Sequence, residues 1–360
     1  MNWRSTWPMA WRRGRTNSDF MTATAGTTSA NWEEKMLQMT KLWTGVALVS
    51  MLFASAVSAE TVLKSSDTHP DGYPTVEGVK YFGELVKERT QGRYAVEVYH
   101  SAQLGEEKDT IEQVRSGVIE LNRVSMAPFN GTVKETIVPA LPYIFRSEDH
   151  MHKVMDGAVG DQIKAAFEPA GLVVLAFYDA GARSFYNSKK PIKTVDDIKG
   201  MKFRVIQSDI FVDMTAALGA NATPMPYGEV YSSLETGVIE GAENNFPSYD
   251  TAKHFEVAKY YSMDEHTILP EVFVMNKAAF DKLTPEDQEI FKQAAKDSVA
   301  KQRELWAAKT AESRALVEKA GAEINEVEKQ GFIDAMKPVY DKHITDEVLK
   351  KLVSDVQAVQ

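Results

Sequence analysis

Arg183 and Arg204 stand 21 positions apart, each at the end of a run with strand character. Arg204 lies in MKFRVI, between Phe203 and Val205, and Arg183 follows Gly181-Ala182. A guanidinium among buried strand residues needs a partner, because an unpaired charge away from water is costly. Its planar fork suits a carboxylate, which it can meet with two parallel hydrogen bonds. Further on, GVIEGAENN ends in Asn244 and Asn245, amides that both donate and accept. The chemistry open to Asp179–Asn245 is therefore non-covalent capture of a small carboxylate. Plainer readings stand beside this one. Arg183 could pair with the acidic run Asp196-Asp197, and Asn244 and Asn245 could be turn formers.

Other residues qualify for chemistry less directly. The loop Asp67-Thr68-His69-Pro70-Asp71-Gly72-Tyr73-Pro74, with Glu77 after it, offers donors and acceptors suited to a polyhydroxylated acid. His69 and Asp71 serve equally well as turn formers beside Pro70 and Gly72. Tyr73, Tyr227 and Tyr231 read as cleft wall or core, with a sugar face stacked on one as the alternative. Glu148-Asp149-His150-Met151-His152 has the residue types of a metal site, but its histidines are two apart and so fall on different helix faces. A charged helix start is the preferred reading. The sequence contains no HExxH, GxSxG, P-loop or GxGxxG, and neither a metal nor a cofactor is implied.

The elements that must position these groups follow from periodicity. TVLKSS at 61–66 reads as a strand, and Val76, Val79, Phe82 and Val86 form one stripe of a helix that ends by Gly92. A strand at 94–99, a helix from about Glu106 to Ser116 and a strand through VIELNRVS complete a β-α-β-α-β run. LVVLAFYD (172–179) and MKFRVI (201–206) are further strands; Ser208 or Asp209 caps the next helix, and Glu229–Thr236 is helical. QVRSGVIEL at 113–121 is echoed by SLETGVIEG at 233–241, each with a glycine suited to a left-handed helix cap. The echo points to two α/β lobes of similar plan. Their facing loops would carry Asn122, Arg123 and Ser125 on one side and Glu243, Asn244 and Asn245 on the other, since ligands bind beyond the carboxyl ends of strands. Thr284-Pro285 starts a helix with no breaker before Gly321. At about 36 residues, or roughly 54 Å, it is longer than one lobe needs, and its apolar positions keep no strict heptad. It is expected to run along both lobes.

Composition narrows the class. The chain has 360 residues and no cysteine, which excludes disulfides, thiolate metal sites and a cysteine nucleophile. Residues 39–59 carry Lys41, an apolar run and Val57-Ser58-Ala59, the pattern of a signal peptide cut before Glu60; a retained anchor is the alternative. Residues 1–38 lack either periodicity and read as an over-extended start, with Arg12-Arg13 far from the apolar run. Without residues 1–59, which hold 6 basic and 3 acidic residues, the chain keeps 35 and 48, a net charge of −13. That balance argues against nucleic acid and suits an exported, monomeric protein.

THPDGYPTVEG at 68–78, SAQLGE at 101–106, LPYIF at 141–145, GARSFYN at 181–187, GMKFRV at 200–205 and GVIEGAENN at 237–245 occur in order over most of residues 60–350. With them the chain resembles the solute-binding proteins of tripartite ATP-independent periplasmic (TRAP) transporters, the DctP-like family. The resemblance implies an α/β, two-lobed periplasmic binding protein fold with hinge strands and a long helix spanning both lobes. Lobe one would be 60–180 plus 271–309, and lobe two 181–270 plus 310–360. It implies TRAP membrane permease subunits as partners and an organic acid as ligand, held by Arg204 with Arg183, Asn244, Gln207 and Tyr227. Asp67, His69, Asp71, Glu77, Asn122, Arg123, Ser125 and Asn245 are the remaining candidate contacts. The HPDGYP loop, and Ser125 where the sialic-acid branch has a carboxylate, resemble members that bind glucuronate and galacturonate. A C4-dicarboxylate, a 2-oxo acid and an exported uronide-processing enzyme using Glu243 or Glu77 are the alternatives.

Overall fold

The structure is a computed structural model that describes residues 60–360; the expectations for 1–38 and 39–59 lie outside these residues. The chain first builds β1 (Thr61–Ser66), α1 (Pro74–Arg89), β2 (Tyr94–Tyr99), α2 (Glu107–Ser116) and β3 (Leu121–Ser125). A helical stretch containing α3 (Glu148–Met155) leads to β4 (Leu172–Tyr178). After a short crossing come β5 (Ala182–Asn187), β6 (Lys202–Val205), α4 (Asp209–Ala217), β7 (Asn221–Pro224), α5 (Val230–Glu235), β8 (Gly241–Asn244) and α6 (Phe246–Thr251). The chain then forms β9 (Tyr260–Ile268), β10 (Glu271–Asn276), α7 (Pro285–Lys319), β11 (Glu323–Glu326) and, last, α8 (Glu347–Ala358).

Two sheets result, with strand orders β2-β1-β3-β10-β4 and β7-β6-β8-β5-β9-β11. The pairings repeat. β1 is parallel to β2 and β3, as β6 is to β7 and β8. β10 is antiparallel to β3 and β4, as β5 is to β8 and β9. β5 therefore enters the second sheet from the earlier chain, and β10 returns to the first sheet from the later chain. The crossings fall at Asp179–Gly181 and Leu269–Pro270. These are the hinge strands of the two-lobed fold.

The internal echo has a structural basis. Gly117 and Gly237 both take left-handed φ, at 77° and 75°. After each, the valine is exposed and the isoleucine buried. Glu120 then accepts from the Lys64 amide at 2.8 Å, and Glu240 accepts from the Lys202 amide at 3.1 Å. The Val-Ile-Glu segments are bends ahead of β3 and β8, so the strands begin at Leu121 and Gly241 and not at the valines as expected. Ser208 also departs from expectation: its hydroxyl donates to Asn130 at 2.6 Å and leaves α4 without a side-chain cap.

The long helix runs the 35 residues Pro285–Lys319, capped by Thr284. Phe291, Ala294 and Ala295 pack with Val79, Phe82 and Phe273 in the first core, whereas Val317 packs with Tyr186, Tyr249 and Tyr261 in the second. One rigid element thus serves both lobes. α8 returns to the segment before α3, where Arg146 donates to the Gln357 carbonyl at 3.3 Å and His150 meets the Val356 carbonyl at 3.0 Å. His152 turns instead to Asp179, so the two histidines do point apart.

β6 and β8 approach closely at Gly241, where a Cβ would stand 2.4 Å from both the Phe203 ring and the Tyr186 carbonyl oxygen. Overpacking of this kind costs about 1–3 kcal/mol. Gly241→Ala is expected to lower stability by that amount in urea denaturation, while Gly131→Ala, where a Cβ meets nothing within 4 Å, changes it little.

Candidate functional site: a polar cleft between the lobes

The carboxyl ends of β1, β3, β6 and β8 converge on one pocket, lined by Thr68, His69, Glu107, Ser125, Arg183, Arg204, Ile206, Tyr227, Asn244, Asn245, Ser248 and Glu271. Bonds cross between the lobes around it. Ser208 reaches Asn130 as described, the Gly228 amide donates to Glu106 Oε1 at 3.2 Å, and Tyr73 and Ser248 share a hydroxyl contact at 2.9 Å. The lobes are drawn together and leave about 20 Å³ of free space. A ligand larger than a water must part them to enter.

The two arginines of lobe two behave differently. Arg183 is held within the protein: Nε and Nη2 meet Glu243 at 2.6 and 2.9 Å, and Nη1 donates to Asn244 Oδ1 at 2.9 Å. Its partner is Glu243 on the neighbouring strand, where it stands across from Phe185, and not the Asp196-Asp197 run. Behind them, His266 Nδ1 meets Asp264 at 2.8 Å, and Nε2 lies 3.4 Å from Glu243. Burial works against protonation of His266, but Asp264 and then Glu243 outweigh it and raise its pKa to about 9. Glu243 is opposed by burial and rescued chiefly by Arg183, which holds it down at about 2.

Arg204 has no such partner. It is only 4% exposed, its Nε and Nη2 donate to the Met225 carbonyl at 3.0 and 2.9 Å, and among the described residues no carboxylate forms an ion pair with it. Burial pulls its pKa below the ordinary arginine value, Glu243 opposes the change and Arg183 adds to it. The site therefore holds one desolvated guanidinium whose remaining N–H groups are unmatched.

Lobe one presents the opposite sign. Glu271 Oε1 accepts from Ser125 Oγ at 2.9 Å, and Glu107 Oε1 accepts from the Ser125 amide at 2.7 Å. Arg123 lies beneath, buried between Glu271 Oε2 at 2.6 Å and both oxygens of Asp67. Burial raises the Glu271 pKa, and Arg123 resists that while Glu107 adds to it. His69 stacks on Tyr73 at 3.8 Å. Burial, reinforced by Arg123 and Arg183, pushes its pKa well down, so the ring is neutral. Its Nδ1 is buried without a partner.

Of the residues expected from sequence, His69, Ser125, Arg183, Arg204, Tyr227, Asn244 and Asn245 meet at this pocket. Tyr227 OH donates to the Ser248 carbonyl at 3.0 Å, and Asn245 caps α6 and donates to the Ala180 carbonyl at 2.9 Å. The others are placed elsewhere. Asp71 and Glu77 are drawn outward to Lys80. Asp67 and Arg123 form a brace behind the wall, and Asn122 donates to Thr110 at 3.1 Å on the other face of β3. Gln207 lines a separate groove of about 520 Å³ with Asn130, Ser208 and His343. Side chains alternate along extended backbone, so Arg204 and Ile206 reach the pocket and Gln207 turns away. Sequence reasoning missed Thr68, Glu107, Ile206, Ser248 and Glu271, and it placed Glu243 on a facing loop and weighed it as a catalytic base without seeing its pairing with Arg183. The acidic pair in SAQLGEE and an acid immediately after Pro270 were the available signals.

Two α/β lobes joined by crossing strands, with a polar cleft at facing strand ends, define the class of two-lobed binding proteins. The chain matches the family described as bacterial extracellular solute-binding protein, family 7, over residues 65–347, and it belongs to that family. A solute-binding protein of Chromohalobacter salexigens is 41% identical over 331 residues, 91% of this chain and 98% of that one. The 2,3-diketo-L-gulonate-binding periplasmic protein of Escherichia coli is 36% identical, covering 77% of this chain and 87% of its own. Among solved structures, a TRAP periplasmic solute-binding protein from Bradyrhizobium with bound galacturonate has 50% identity and a TM-score of 0.81, covering 82% and 99%. One from Chromohalobacter salexigens with bound D-glucuronate has 42% identity and the same TM-score, covering 83% and 100%.

The His266 pKa of about 9 lies above the unfolded value of about 6.5, so its stabilisation is complete below pH 6.5 and lost as pH rises through 9. Thermal unfolding should show stability falling by up to about 3 kcal/mol across that window, at about 1.4 kcal/mol per pKa unit. His266→Gln should flatten the fall.

Proposed function

We propose that the protein captures a hexuronate, glucuronate or galacturonate, outside the cytoplasmic membrane and delivers it to a TRAP-type permease. The observation that carries this reading is Arg204, a buried cation without an anion, lining one pocket with the hydrogen-bonded carboxyl groups of Glu107 and Glu271 on the other lobe. A ligand carboxylate completes Arg204 through a bidentate pair. Glu107 and Glu271 accept only from donors, so the far end of the ligand is a set of hydroxyls. Carboxylate at one end and hydroxyls at the other describe a sugar acid, the chemistry of the ligands bound to the related galacturonate and glucuronate proteins.

The same wall disfavours a C4-dicarboxylate, whose second charge would meet Glu107 and Glu271. A 2-oxo acid would leave those acceptors without donors; a diketo-sugar acid retains enough hydroxyls to stand as the second reading. Turnover finds little support, because Glu243 is fully buried, ion-paired and deprotonated, and Glu77 lies outside the cleft. Ligand that touches both lobes stabilises the closed form through its differential contacts. A micromolar Kd corresponds to about 8 kcal/mol, several times the roughly 1 kcal/mol of a typical hydrogen bond between the lobes.

Arg204→Ala is expected to weaken galacturonate binding by about 100-fold in calorimetry, in the range for truncating one member of a buried charge pair. Because the free protein buries that charge uncompensated, Arg204→Met should raise the ligand-free melting temperature; a fall would contradict the unpaired state. In a thermal-shift panel, hexuronates should stabilise the protein and C4-dicarboxylates should not. Glu107→Gln should cost hexuronates about 10-fold, as expected on losing a charged hydrogen-bond acceptor, and narrow the gap to dicarboxylates.

A further inference from the structure

A second cavity, about 480 Å³, lies behind the hinge crossing and is lined by Glu148, Gly181, Asn245, Phe246, Trp306 and Thr310, among others. Along α7, Trp306, Thr310 and Arg314 follow at intervals of four, so they share one face, and all three line it. Trp306 is 2% exposed, yet its indole N–H has no partner, and neither does the Thr310 hydroxyl. Gly181, at φ +57°, lets the crossing pass close against the indole. A Cβ there would stand 2.9 Å from Trp306 Nε1 and 3.1 Å from Glu148 Oε1. Glu148 forms no ion pair or side-chain hydrogen bond among the described residues, and Asp179, near it, takes His152 and Arg303 instead. Arg314 and Glu265, on the rim, are occupied by Glu318 and Lys329.

A free N–H and a free carboxylate on residues that line one cavity are complementary to a hydroxyl, which accepts from the first and donates to the second once the indole edge is uncovered. Thr310 adds a second such contact, and Phe246, Met263, Ala307 and Ala311 supply an apolar wall for a carbon skeleton. The available charge is negative, so an anion is disfavoured. We infer that this hinge cavity is a second binding site that takes a small neutral polyol or sugar and is coupled to the acid-binding cleft. Asn245 provides the link, because it lines both pockets while its amide holds the Ala180 carbonyl at the crossing. The walls come from both lobes, so the cavity changes shape with the lobe angle. An occupant that fits this closed arrangement favours closure, and by reciprocity it tightens acid binding.

Trp306 is the only tryptophan in residues 60–360. Those residues form a unit of their own, and the solved Bradyrhizobium relative consists almost wholly of the matching region, so residues 60–360 serve for the test. Galactose, myo-inositol and glycerol would be titrated into this protein, with and without galacturonate, while indole fluorescence is followed. The expected result is a saturable change for at least one polyol. That change should persist in Arg204→Ala, which separates it from acid binding, and disappear in Thr310→Val and Glu148→Ala. Calorimetry at saturating polyol should show galacturonate bound at least about five-fold more tightly, the lower end of typical coupling, with Trp306→Phe abolishing the gain. A fluorescence response that is only linear in polyol, or one unchanged in both hinge variants, overturns the site. Saturation without any change in galacturonate affinity overturns the coupling. If galacturonate itself fails to bind, the fluorescence titration without acid still decides the site.

Discussion

The cleft depends on one uncompensated charge. Arg204 is withdrawn from water by the strand that carries it and receives only the Met225 carbonyl in return. Its neighbour Arg183 is equally buried, but Glu243 neutralises it, and Asp264 and His266 buttress Glu243. Two arginines of the same type and burial thus stand differently: one is ion-paired, and the other has only a carbonyl partner. A buried ion costs several kcal/mol when alone. On the function proposed above, a ligand carboxylate relieves that cost.

The repeated sheet plan explains how a charged site of opposite faces arises. Each lobe brings the carboxyl ends of two parallel strands to the same edge, and each adds an antiparallel strand from the other half of the chain. In lobe one the added strand begins with Glu271, and in lobe two it begins with Ala182 and Arg183. The crossings therefore deliver an acid to one wall and a base to the other. Both crossings, together with α7, also join the lobes, so the residues that set the site's polarity sit next to the connections between them.

Much of this was legible in the residues themselves. The stripe Val76-Val79-Phe82-Val86 specified α1, and Thr284-Pro285 to Gly321 marked the long helix to within one turn. The glycine after each echoed helix revealed the duplicated plan, since only a left-handed cap suits Gly117 and Gly237. Arg204 stood out because a guanidinium between Phe203 and Val205 has no local partner. Placement of the first-lobe contacts was not legible. Asp71 and Glu77 look as polar as Glu107, and nothing local announces that Lys80, one turn beyond Glu77, draws both outward. Gln207 failed for a simpler reason: it lies an odd number of residues from Arg204, and strand geometry turns it to the opposite face.

By itself the sequence determined the elements, their duplication and the presence of a strand arginine without a local partner, because periodicity, capping and the cost of burying charge act over short stretches of chain. Only the tertiary structure decided which charges neutralise one another. Arg183 meets Glu243 across 60 residues, Arg123 meets Glu271 across 148, and Trp306 faces Glu148 beside Gly181. Electrostatic pairing depends on distance in space, which strand order and the two crossings set. Arg204 stays unpaired because, among the described residues, the fold brings no carboxylate within ion-pair distance of it.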